Sequence, residues 1–78
     1  MSPTILRVGP YRFFLFSNEG REPPHIHVQR DHALAKYWLG PVRSARAFGF
    51  ATHELTGIEA LVRDNEPRLL DAWHEFFG

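Results

Sequence analysis

The stretch that most restricts how this chain can fold is Glu22-Pro23-Pro24-His25-Ile26-His27-Val28. Two consecutive prolines hold the backbone near polyproline geometry, and the polar and apolar residues that follow them alternate. That alternation is the signature of a strand. With a period of two, His25 and His27 point to one face and Ile26 and Val28 to the other, which places two imidazoles side by side, about 7 Å apart along the strand.

A sheet around this strand is expected from the flanking residues. Thr4 to Val8 alternates, Gly9-Pro10 punctuates, and Tyr11 to Ser17 carries Tyr11, Phe13 and Leu15 on one face and Arg12, Phe14 and Phe16 on the other. A strand apolar on both sides belongs in a sheet interior. Asn18-Glu19-Gly20-Arg21 reads as a polar loop that delivers the chain to the prolines. After His25 to Arg30, Asp31-His32 suits a tight connection, and Ala33 to Leu39 forms a fourth strand that stops at Gly40-Pro41. Val42 to Ala47 fits a short helix or a fifth strand, and the strand is preferred because an unbroken meander needs no long connection.

From Thr52 the period becomes helical. Thr52 is placed as the cap, Glu54 lies in the first turn, and Leu55, Ile58, Leu61, Val62, Leu69, Trp73, Phe76 and Phe77 recur at three- and four-residue steps. Pro67 removes an amide and disfavours helical geometry at Glu66, so the helix is expected to kink or split there, with Asn65 capping a second segment. The fold class expected is α+β: an antiparallel β-meander of four to five strands, then a C-terminal helix kinked or split near Pro67 and packed on one sheet face.

Seventy-eight residues are read as a single domain, 1–78, with seven Phe, two Trp and two Tyr to fill its core. A chain of this size buries only about 60 to 65% of its unfolded surface, so such rings matter. Cysteine is absent, which excludes disulfides and thiolate metal sites. Met1 to Val8 lacks the apolar run of a signal peptide, and Phe13 to Phe16 is too short to cross a bilayer, so a cytoplasmic bacterial protein without membrane partners is expected. The net charge of zero hides an asymmetry. Residues 1–46 hold seven basic and three acidic side chains, and residues 47–78 hold two basic and six acidic ones. An anionic partner is therefore expected on the basic side.

Tyr11-Arg12-Phe13-Phe14, Pro23-Pro24-His25-Ile26-His27-Val28, the Ala35 to Leu39 strand and Leu69-Leu70-Asp71-Ala72-Trp73 together resemble the bacterial family called domain of unknown function 4160. The resemblance covers nearly the whole chain, and the Pro-Pro-His-x-His-Val string is its most specific part. It implies a sheet followed by a helix, and a toxin-antitoxin-like gene pair in which the partner is a small protein of the domain of unknown function 2442 type. It implies no catalytic residue. Relatives would carry an unbroken helix where this chain has Pro67.

The candidate sites follow from the face count. His25 and His27 can act as metal ligands, as an acid-base or phosphate-binding pair, or as structural groups that order the segment after Pro24. The structural role is preferred because two ligands are too few for a metal, and His53, His74, Asp31 or Glu22, any of which could complete three, lie on other elements with no spacing that requires convergence. No metal is assigned, with His25 and His27 as the candidates for one. Arg12, Phe14, Phe16, His25, His27, Gln29, Lys36 and Trp38, with Arg43 beside them, are expected on the face away from the helices, as an exposed surface for a protein partner, a second copy or, less favoured, single-stranded nucleic acid. The preferred function is an interaction module that binds the neighbouring gene product. The competing one is an RNA-binding or nuclease-like toxin in which His25 and His27 exchange protons beside Arg12, Arg30 or Lys36. No nucleophile elbow, phosphate-binding glycine loop or dinucleotide fingerprint occurs, so no cofactor is expected and the reading leans away from an enzyme, with His25, His27 and Arg12 as the catalytic candidates. His74 reads as a surface residue near a helix C-terminus.

Overall fold

The computed structural model describes residues 2–78. Five strands, β1 (Thr4–Val8), β2 (Tyr11–Phe14), β3 (His25–Arg30), β4 (Ala33–Trp38) and β5 (Arg43–Phe48), pair antiparallel in sequence order. Two helices follow, α1 (Thr52–Asp64) and α2 (Glu66–Phe77). The expected α+β meander is therefore present, with its fifth strand. The turns explain the order. Gly9 at φ 56° and Asp31 at φ 53° occupy two-residue connections that need the left-handed region, which glycine adopts freely and aspartate tolerates.

The alternation of β2, β3 and β4 sends Phe13, Ile26, Val28, Ala35 and Tyr37 to one face, where they meet Ile58 and Val62 of α1 and Leu69 and Trp73 of α2 in one buried cluster. Burying each such aliphatic or aromatic side chain contributes about 1.5 to 3 kcal/mol. Polar contacts also tie α1 to this face, among them the Tyr37 hydroxyl donating to the Leu55 carbonyl at 3.3 Å. The Arg30 guanidinium donates to both carboxylate oxygens of Glu54, at 2.6 and 2.9 Å, and the Tyr11 hydroxyl donates to the same carboxylate at 2.8 Å.

The split at Pro67 is complete, since the helices meet at Asn65 and Pro67 lies in the first turn of α2, where its missing amide costs nothing. The capping expectations need correction. The residue at the start of α1 is Ala51, not Thr52, and its carbonyl accepts from the amides of Glu54 and Leu55. Asn65 stands at the start of α2, but its side chain donates backwards to the Leu61 carbonyl at 2.8 Å and so closes α1 instead. No helix among the described residues is long and apolar enough to cross a membrane.

Candidate functional site

On the face away from the helices, pairing aligns Phe14, His27, Lys36 and Arg46 in a row across four strands, and His25, Trp38 and Arg43 in the next row. Arg46 joins this face, although strict alternation sets it opposite to Arg43, because the β4–β5 register shifts between Lys36 and Tyr37. The expected exposure of the face needs correction: Phe14, His25 and His27 are buried, and Arg12, Phe16, Gln29, Lys36 and Trp38 are partly covered. The cause is the segment between β2 and β3. Two turns, closed by amide bonds from Glu19 to the Phe16 carbonyl and from Glu22 to the Glu19 carbonyl, fold it back over the sheet. Gly20 permits the close approach. A Cβ at that position would lie 2.5 Å from the Phe77 ring of α2, well inside van der Waals contact.

This loop brings Glu19 onto the two histidines. Its Oε1 lies 2.8 Å from Nε2 of His25 and 2.8 Å from Nε2 of His27. Nδ1 of His25 lies 2.9 Å from the Pro23 carbonyl oxygen, so the first proline of the motif becomes a positioning group. A carbonyl only accepts, so Nδ1 carries a proton; with that one proton on the ring the Nε2 lone pair faces the carboxylate, and with a second proton Nε2 donates to it. Nδ1 of His27 is buried and has no protein partner among the described residues. Its ring is stacked on Phe14, with centroids 5.4 Å apart, and meets the edge of Phe16 at 4.5 Å.

The electrostatics agree with this geometry. Burial lowers the proton affinity of His27 below that of a free imidazole, outweighing the Glu19 hydrogen bond that would raise it. Burial also acts to raise the Glu19 carboxyl, but the hydrogen bonds from His27 and His25 outweigh it and hold the group below its usual range. A neutral imidazole beside an ionised carboxylate is the state that ligates a metal.

Glu19, His25 and His27 are the group of metal-capable side chains that converges among the described residues, with all donor atoms within 4.8 Å of one another. Ions of the zinc class bind such donors at about 2.0 to 2.2 Å, which spaces them about 3 to 3.5 Å apart. Seating an ion therefore requires the carboxylate oxygen to withdraw by about half an ångström and the donor atoms, spread over up to 4.8 Å, to close to that spacing. The four side chains named from sequence as possible third ligands lie elsewhere: His53 and His74 are exposed on the helices, Asp31 is exposed in a turn, and Glu22 pairs with Lys36. Glu19 was missed because it sits in an aperiodic polar loop. The only signal for it was an acidic residue beside a glycine, a short turn away from the prolines.

The cations separate. Arg12 reaches Thr4 Oγ1 at 2.6 Å and Gln29 at 3.3 Å, and lies over the Phe14 ring, so it serves the β1 edge and not the histidines. Arg30 is on the helical face with Glu54. Lys36 stays beside the cluster, over the Trp38 ring at 4.5 Å. A recess of about 250 Å³ opens next to Glu19 and His27, walled by Phe16, Leu34 and Phe48 with Lys36 and Arg46 alongside.

The family model for the Domain of unknown function (DUF4160) matches residues 11–74, a span that takes in the loop, both histidines and most of both helices. The chain belongs to that family. No curated protein and no solved structure matches it.

Proposed function

We propose that this DUF4160 protein binds one divalent transition-metal ion through Glu19, His25 and His27, with the adjoining recess giving small molecules access to the ion. The observation that carries this reading is the proton accounting at His25. With Nδ1 committed to the Pro23 carbonyl, Nε2 and Glu19 Oε1 approach to 2.8 Å as two acceptors, and a positive species has to lie between them. A second proton on the ring meets that need, and so does a metal ion. The convergence of a third donor, His27 Nε2, on the same oxygen favours the ion. Two imidazoles and one carboxylate suit zinc, iron(II), manganese or cobalt and leave coordination positions open. Calorimetric titration of metal-free protein with zinc should show one ion per chain, and the His25→Ala, His27→Ala double variant should show none. Equal binding by that variant sinks the reading.

A second reading keeps the protein as a partner-binding module, and one observation favours it. All six residues of β5 are exposed, with Phe48 71% accessible and Arg43 and Arg46 on the same strand. An edge with free backbone groups, two cations and one ring suits a strand of an acidic partner protein, in keeping with the gene pair that the resemblance implies. Co-expression with the neighbouring gene product tests it: Phe48→Asp should abolish co-purification, while retention of the complex removes β5 as the interface.

A further inference from the structure

Lys36 and Arg46 are register partners on β4 and β5, so two like charges stand directly opposite each other on one face of the sheet. Such a pair opposes strand pairing unless negative charge is supplied. Glu22 supplies it for Lys36. Arg46 has no carboxylate partner among the described residues. Both cations border the recess beside Glu19 and His27, and the large apolar side chains of its wall are Phe16, Leu34 and Phe48. Phe48 is the most exposed large apolar side chain among the described residues, and it sits at this border.

From this juxtaposition we infer that the recess binds a small organic anion with an apolar body, its carboxylate between the metal ion and Arg46 and its body against Phe16, Leu34 and Phe48. The inference rests on the metal reading above and names the ligand class of that site. Three protein ligands leave positions on the ion for a carboxylate oxygen. At about 250 Å³ the recess is smaller than the roughly 300 to 1,000 Å³ of sites for drug-sized molecules, so the ligand is of the size of an aromatic or branched aliphatic acid. Inorganic phosphate would satisfy Arg46 but leave the three apolar walls wet. A neutral apolar molecule would leave Arg46 and the open metal positions unmatched.

The test uses the full chain loaded with cobalt(II), whose visible spectrum reports its ligands, titrated separately with phenylacetate, acetate and inorganic phosphate. Phenylacetate should shift the cobalt bands and bind about tenfold or more tighter than acetate or phosphate, the difference coming from the buried ring. Arg46→Ala should weaken phenylacetate about tenfold in protein that remains cobalt-loaded, and Phe48→Ser should weaken phenylacetate but not acetate. Cobalt binding with no spectral response to any anion overturns this inference alone. Phosphate binding as tightly as phenylacetate, or indifference to Arg46→Ala, overturns it as well. Failure to bind cobalt at all removes the metal reading and this inference together.

Discussion

The backbone carbonyl of Pro23 accepts a hydrogen bond from Nδ1 of His25 at 2.9 Å, and this contact decides which nitrogen of His25 is offered to Glu19. Metal-bound histidines commonly donate their other ring N–H to such an acceptor, which fixes the ring and its tautomer. Nitrogen NMR of the zinc-loaded protein should therefore find the proton of His25 on Nδ1. A proton on Nε2 would remove His25 from the ligand set.

Gly20 touches no ligand atom, yet the position of Glu19 depends on it. An alanine there meets the Phe77 ring at 2.5 Å, so either the ring or the loop has to move. Gly20→Ala should cost about 1 to 3 kcal/mol by overpacking and should weaken zinc binding. Adding Phe77→Ala should recover part of the zinc affinity. Gly57→Ala, in α1 with open space around the new methyl, should instead stabilise by about 0.5 to 1 kcal/mol. Chemical denaturation with and without zinc measures all of these, and zinc affinity unchanged in Gly20→Ala would show that the loop does not need this close approach.

The metal-free protein should lose stability on mild acidification. Burial holds folded His27 below the proton affinity it has when unfolded, so the unfolded chain binds more protons as pH falls. The stability tied to His27 is present above about pH 6.5 and is lost as pH drops through the lower folded value. Glu54, held down first by the Arg30 guanidinium and then by the Tyr11 hydroxyl, and Glu19 have the same sign, but their loss begins only below about pH 4.3. Melting curves of wild type and His27→Gln between pH 8 and 5 isolate the first stage, since the carboxylates do not titrate in that window. A wild-type midpoint that holds steady down to pH 5 would contradict the buried neutral imidazole.

Trp73 links α2 to the sheet through a buried ring whose indole N–H has no protein acceptor among the described residues. Truncation to alanine should cost about 3 to 5 kcal/mol, a large part of the stability of a chain this small. Trp73→Phe should cost far less, because the smaller ring also removes a buried donor that is itself worth about 1 to 3 kcal/mol of penalty. Equal destabilisation by both variants would mean that the indole N–H is satisfied after all.

What could be read from sequence follows the range of the interactions involved. The strands, the break at Pro67 and the facing of His25, Ile26, His27 and Val28 depend on local alternation and on proline geometry, and they agree with the structure. The exposure of Phe14, His25 and His27 depends on where the ten-residue connection between β2 and β3 lies, and no periodicity encodes that. Glu19 is invisible for the same reason. It joins the histidines through two turns and the Gly20 to Phe77 contact, which couples the loop to the far end of the chain. The local preference of Thr52 and Asn65 for helix starts was legible, but Ala51 and a backward bond to Leu61 took those roles.

The most direct measurement compares the thermal shift produced by zinc in wild type, Glu19→Gln and Glu22→Gln at pH 7.5. An ion present at a hundredfold excess over its dissociation constant stabilises by about 2.7 kcal/mol, which for a chain of this size is a rise on the order of 10 °C or more. Wild type and Glu22→Gln should both show that rise, since Glu22 serves Lys36 and not the cluster, and Glu19→Gln should lose most of it. A full zinc-induced rise in Glu19→Gln, or none in wild type, would contradict a metal centre at Glu19, His25 and His27.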